Sequence, residues 1–163
     1  MSSHSDDSGI LRRGMHAPGF ELQDIAGGKK LLGQMLENGP VLLALFKVSC
    51  PVCQLTLPFL ERMSANNALQ IVAVSQDDVK GTKAFNDRFG ITLPTLLDEA
   101  REGYPVSNAY GISSVPTLFL IETDGTISQS FSGFSKRDLE EIGKRINVAL
   151  FRPDEYVPEF KAG

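Results

Sequence analysis

Hydrophobic and polar positions follow two different periods along this chain. The clearest apolar run is Val41 to Lys47 (Val-Leu-Leu-Ala-Leu-Phe-Lys), bounded by Gly39-Pro40 and Ser49. An unbroken run of that length predicts a strand buried on both faces. From about Cys50 to Ala65 the period changes to that of a helix. Leu55, Phe59, Leu60 and Met63 recur on one face, and Pro51 suits a first turn. Gln70 to Ser75 (Gln-Ile-Val-Ala-Val-Ser) predicts a second buried strand. Asp78 to Phe89 predicts a helix, with Val79, Phe85 and Phe89 among its apolar positions and Gly90 as its stop. Thr95 to Asp98 predicts a short strand, and Val106 to Tyr110 a short helix.

Thr117 to Ile121 (Thr-Leu-Phe-Leu-Ile) predicts a further strand. Asp124-Gly125 is a tight-turn signal, so Thr126 to Phe131 returns as a hairpin partner. Ser135-Lys-Arg-Asp138 resembles a capping box with Asp in place of Glu or Gln. It opens a last helix in which Leu139, Ile142, Ile146 and Leu150 form one stripe. Nearer the start, Phe20 to Leu22 and Lys29 to Leu32 predict a small hairpin around Gly27-Gly28. Strands alternating with helices imply crossover units, and the late hairpin makes the sheet mixed. The expected class is α/β, a mixed central sheet flanked by helices.

The chain has 163 residues, one domain's length, with 42% hydrophobic and 22% charged residues. That composition supports a packed core without disulfide or metal staples. Residues 1–13 are expected as a disordered polar tail, 14–150 as the domain and 151–163 as an extended tail that can pack Tyr156 or Phe160 against it. Sixteen basic and twenty acidic side chains leave a net charge of −4, against a sequence-independent nucleic-acid binder. No apolar run approaches the roughly 18 residues of a membrane span. The first residues lack a basic stretch and an apolar core, so no secretory signal is read and a cytoplasmic location is expected.

Only two cysteines occur, Cys50 and Cys53. A disulfide between them closes too short a loop to stabilise a fold. Zinc would need two further ligands, and only His4 and His16 exist, both near the start, so no metal is expected. Two unrelated buried thiols are the plain alternative. The pair falls, however, where a buried strand hands over to a helix. Helix N-terminal amides and the dipole stabilise a thiolate. Cysteines three positions apart on one turn can close a disulfide. The first is at the exposed tip and suited to attack, and the second is deeper and suited to resolve a mixed disulfide. Pro51 stiffens the turn, and Val52 is small enough to leave it open. Val115-Pro116 directly precedes a strong strand. Proline is tolerated at strand starts. The functional alternative is a cis bond that presents the Val115 backbone to an incoming extended peptide.

These motifs resemble the thioredoxin-like superfamily, in its branch of AhpC/TSA (redoxin) proteins and TlpA-like, cytochrome-maturation-type thiol–disulfide oxidoreductases. Gly14-Met-His-Ala-Pro-Gly-Phe-Glu-Leu-Gln-Asp24 is similar to the branch's opening segment. Leu45 to Cys53, with Pro58 beyond, resembles the active-site strand and kinked helix, and Tyr110 to Thr117 resembles the cis-proline loop. The stretch Asp77 to Glu102 is similar to the branch's extra helix and strand. The resemblance implies a thioredoxin-like fold, with Cys50 attacking, Cys53 resolving and Pro116 beside them. Ser49, Pro51, Val52 and Val115 would contact substrate. The implied partners are protein thiols or disulfides and an unidentified reductant. No cofactor, nucleic acid or membrane is expected, and the chain would be a monomer or weak dimer.

This chain departs from the pattern in four places. Ser49 stands where an aromatic residue usually precedes the first cysteine, and there is no Trp. The acid of thioredoxins on the active-site strand is replaced by Ala44, and that of the cytochrome-maturation relatives by Thr56. No carboxylate is therefore expected beside the resolving thiol, and Lys47 and Lys83 are the nearest ionisable candidates. Two other functions fit the scaffold. A peroxiredoxin-type antioxidant peroxidase needs Pro, then Ser or Thr, ahead of its cysteine. Those positions hold Leu43 and Lys47 counted from Cys50, or Phe46 and Cys50 counted from Cys53. A non-catalytic redox sensor would use the pair as a switch.

Overall fold

A computed structural model describes residues 9–163. His4 and the rest of residues 1–8 lie outside the described residues. The first two strands are β1 (Glu21–Asp24) and β2 (Lys29–Leu31), followed by a short helix α1 (Leu32–Leu36). Next come β3 (Val41–Phe46), α2 (Pro51–Met63), β4 (Gln70–Ser75), α3 (Val79–Phe89) and β5 (Thr95–Leu97). Then follow α4 (Pro105–Ala109), β6 (Thr117–Ile121), β7 (Ile127–Ser132), β8 (Phe134–Ser135), α5 (Lys136–Arg145) and β9 (Phe160–Lys161).

Seven strands form one sheet in the order β2-β1-β5-β4-β3-β6-β7. The pairs β3–β4 and β4–β5 are parallel, and β1–β5, β3–β6 and β6–β7 are antiparallel, so the sheet is mixed as expected. The hairpin β1–β2 joins this sheet through β5. The extra helix and strand between the two motifs are α3 and β5.

β3 shows why the continuous apolar run was needed. Side chains alternate between the faces of a strand. Leu42, Ala44 and Phe46 pack with α2, α3 and α5 on one side. Val41, Leu43 and Leu45 pack on the other with Leu32 and Leu36 of α1, Val106 of α4 and Tyr110. Both faces are therefore covered. All six β3 residues are fully buried.

The structure moves several expected boundaries. α1 is an element the pattern did not predict. Val79 is exposed, because Asp78 caps α3 by accepting the Gly81 N–H and Val79 starts outside the core. α5 ends at Arg145, and Asn147 takes a left-handed conformation. Leu150 reaches the core beyond the helix, from a turned-back segment. Tyr156 and Phe160 are 89% and 57% exposed, so neither is the residue that anchors the later segment. Phe151 anchors it instead, with ring centroids 5.0 Å from Phe59 and 6.1 Å from Phe134. Arg62 adds hydrogen bonds to the Leu150 carbonyl and the Glu155 carboxylate.

Residues 9–13 lie against the domain as well. Leu11 donates its N–H to the Tyr110 carbonyl and accepts from the Ser130 hydroxyl. The chain then follows β7. Gly14 N–H meets the Ile127 carbonyl, Ile127 N–H meets the Met15 carbonyl, and His16 bridges Thr126.

Candidate active site

β3 ends at Phe46, and its pairing with β4 and β6 brings three loops together at one end of the sheet. They carry Cys50, Asp77 and Val115. The turn after β3 closes with the Cys50 N–H donating to the Lys47 carbonyl. Pro51 then starts α2, where its missing N–H costs nothing.

Cys50 is the N-cap of α2. Its Sγ accepts the Cys53 N–H at 3.1 Å. A backbone N–H aimed at a sulfur is the donor a thiolate accepts. On the other side the Cys50 thiol donates to the Val115 carbonyl, 3.5 Å away. Both cysteines are free thiols, Cys50 half-buried and Cys53 fully buried. Burial pushes the Cys53 thiol pKa upward, and the hydrogen bond with Cys50 adds to that. The Lys47 backbone hydrogen bond opposes the rise, whereas the charges of Cys50 and Asp77 reinforce it. Cys53 thus holds its proton at neutral pH until the environment changes.

The Val115–Pro116 peptide bond is cis, Pro116 is buried and Val115 half-buried. Thr117 holds this loop, its hydroxyl donating to the Ser114 carbonyl at 2.8 Å. Ser49 and Pro51, the neighbours of Cys50 in the chain, are exposed, and Val52 is half-buried.

One acid comes near the pair that the sequence did not single out: Asp77, just past β4, adds a small charge contribution to the raised Cys53 pKa. Its Oδ2 accepts the Val48 N–H at 2.8 Å, two residues ahead of Cys50. The Val48 carbonyl in turn accepts from the Gln54 amide at 3.1 Å. Asp77 is oriented by its own N–H, which donates to Ser75 Oγ at 3.0 Å. Lys47 and Lys83 are both exposed. The hint in the sequence was that Asp77 follows a buried strand, just as Cys50 does. Thr56 is fully buried, and its hydroxyl donates back to the Val52 carbonyl at 2.8 Å. Among the described residues no group of three or more His, Cys, Asp or Glu is placed to hold a metal. His16 lies at the Thr126 bridge.

The profile of the AhpC/TSA family matches residues 14–130. The chain belongs to the AhpC/TSA family. Among its relatives, the thiol-disulfide oxidoreductase ResA of Halalkalibacterium halodurans is 31% identical over 153 residues, 91% of this chain and 82% of the relative. ResA of Geobacillus kaustophilus is 30% identical over 132 residues, 78% and 74% of the two chains. The thioredoxin domain of a thiol-disulfide oxidoreductase from Bacteroides vulgatus superposes with a TM-score of 0.73 at 21% identity, covering 84% of this chain and 99% of that one. Peroxidoxin BcpB of Mycobacterium tuberculosis gives a TM-score of 0.67 at 22% identity, covering 83% and 96%. At these identities the two structures establish the thioredoxin-like fold and nothing narrower.

Proposed function

We infer that Cys50 and Cys53 form a single redox couple, with Cys50 attacking and Cys53 resolving. The chain is a thiol–disulfide oxidoreductase that acts on protein disulfides. The observation that carries the assignment of roles is the asymmetry of the pair. Cys50 is half-exposed at the helix N-terminus, whereas Cys53 is fully buried one turn below it and donates its N–H to the Cys50 sulfur.

The Cys50 thiolate attacks one sulfur of the substrate disulfide. That S–S bond breaks, a mixed disulfide forms, and the departing sulfur takes a proton. Cys53 then loses its proton and attacks the Cys50 sulfur. A Cys50–Cys53 disulfide forms and the second substrate thiol leaves. The substrate gains two electrons and two protons, and an external dithiol restores the couple. Val115 and Pro116 form the surface beside the reacting sulfur, with Ser49, Pro51 and Val52 at its rim.

With a dithiol donor present, the pure protein should reduce the disulfides of insulin. Cys50→Ser should abolish this, and full activity in that variant would overturn the reading. Cys53→Ser should accumulate mixed disulfides with polypeptide substrates. We place the couple in the reducing cytosol, supported by a chain with no cysteine to spare for a structural disulfide. Acid trapping of thiols in fractionated cells should find the pair reduced in the cytosolic fraction. An oxidised pair outside the cytosol would reverse that placement.

A further inference from the structure

The surface beside Cys50 is occupied by the chain itself. Residues 159–163 run from the start of α5, beside Lys136, to the loop that holds Val115. Three observations describe their path. β9 pairs antiparallel with β8, Phe134 opposite Lys161 and Ser135 opposite Phe160. The Lys136 N–H donates to the Glu159 carbonyl at 3.0 Å. Gly163 lies so close to the cis-proline loop that a Cβ there would run into the Val115 carbonyl group and sit 3.1 Å from Pro116 Cδ.

Two glycines make the crossing possible. Gly133 has φ +78°, and a Cβ on it would run into the Lys161 carbonyl and lie 3.2 Å from the Phe160 ring. Gly163 does the same at the other end. The chain therefore passes over β8 and over Val115 at backbone contact distance, where side chains would hold it off.

The Val115 carbonyl is the atom to which the Cys50 thiol donates. A polypeptide disulfide must bring one sulfur onto Cys50 Sγ, so the residues flanking that sulfur must lie over Val115. The recognition mode available to an extended segment here is backbone addition beside the loop and the β8 edge. Residues 159–163 already hold that place.

We propose that residues 159–163 are a resident strap in the polypeptide-binding groove, and that a substrate segment must displace it to reach Cys50. The anchoring is graded along its length. Upstream, Phe151 is wedged between Phe59 and Phe134, and Arg62 grips Leu150 and Glu155. Downstream, residues 159–163 are all exposed and are held by a two-residue ladder, the Lys136 contacts to Glu159 and the glycine contacts. A two-residue ladder is marginal by itself. Residues 159–163 therefore lift while the Phe151 anchor stays fixed. The strap selects against slow or weakly binding polypeptides and leaves small disulfides, which need no backbone groove, comparatively free.

The inference rests on Cys50 being the attacking thiol, and the test separates the two. In the full chain, Phe160→Pro with Lys161→Pro removes the Lys161 N–H from the β9 ladder and the Phe160 ring from Gly133. The rate of Cys50 with insulin and with 5,5′-dithiobis(2-nitrobenzoate) is measured for both proteins. The ratio of the insulin rate to the small-disulfide rate should rise at least about fivefold in the variant, roughly 1 kcal/mol of relieved competition. An unchanged or lower ratio overturns the strap. A native Cys50 inert to both reagents overturns the site reading instead. A second measurement needs no disrupted strap. Hydrogen exchange is followed on the Cys53→Ser chain, free and carrying a disulfide-linked peptide on Cys50. The Lys161 amide should lose protection on loading, and protection retained in the loaded chain would refute displacement.

Discussion

Cys53 and Asp77 are coupled by charge, and the direction of that coupling is testable. A carboxylate near a buried thiol opposes formation of a second negative charge, so Asp77 helps to hold the Cys53 pKa up. Asp77→Asn keeps an oxygen for the Val48 N–H and removes only the charge. The resolving step, followed as decay of the mixed disulfide, needs the Cys53 thiolate. Its rising alkaline limb should therefore move to lower pH in Asp77→Asn, and a limb that stays in place or moves up would contradict the coupling. The thiol pair was fully legible in the sequence, because both members lie on one turn of one helix. Asp77 was not, because it reaches the site only through the parallel pairing of β3 with β4, which no local pattern encodes. Thr56, at the position where relatives carry an acid, uses its hydroxyl inside α2.

Caps and turns decide where the elements stop. Asp98 is fully buried after β5, and its two oxygens accept the Val106 and Ser107 N–H groups, both at 2.8 Å, and the Ser107 hydroxyl at 2.6 Å. It thereby satisfies the first turn of α4, a helix of five residues that could not persist alone. Asp98→Ala leaves those donors buried without partners and should cost about 3 kcal/mol in urea unfolding. Ser135 caps α5, accepting the Asp138 N–H and donating to the Asp138 carboxylate. Ser135→Ala should cost about 1 kcal/mol. A loss as large as that of Asp98→Ala would show that more than a cap is involved. The strong strands and α2, α3 and α5 were readable because each carries an apolar period and a cap or stop residue. α1 was unreadable for the opposite reason. It spans five residues, its N-cap is Leu31 with no side-chain bond, and its first turn has no acid. β8 and β9 are two residues each and form only because Phe151 brings the later chain back over α2.

For the molecule as a whole, the buried protons set the alkaline limit of stability. Burial raises both the Cys53 and the Tyr110 pKa. The unfolded chain begins to release its thiol proton near pH 8.5, while the folded chain keeps Cys53 protonated. Above that pH the unfolded state binds fewer protons, so stability falls as pH rises. Cys53→Ala should flatten the first part of that decline in the reduced protein, and an identical slope would show that Cys53 does not contribute. The acidic side has the opposite sign. A hydrogen bond from Arg145 lowers the Glu122 pKa, and one from Arg62 lowers that of Glu155. Their contribution is present above the ordinary glutamate pKa of about 4.3 and is lost as pH falls below it.

The two outermost strands of the sheet differ in how they end it. Residues 14–17 run along the start of β7, with backbone hydrogen bonds to Ile127 and, in the turn before it, Gly125, so that edge is covered at its first residue. The opposite edge is β2, three residues long and opening on Lys29 and Lys30, all exposed. A short edge bearing two cations repels a second copy of itself, and an occupied edge cannot template one. Both edges are thereby blunted against pairing with a second copy. Variants that loosen residues 11–17 uncover the start of β7 and should shorten the lag of amyloid formation while leaving the thiol chemistry at the other loops in place.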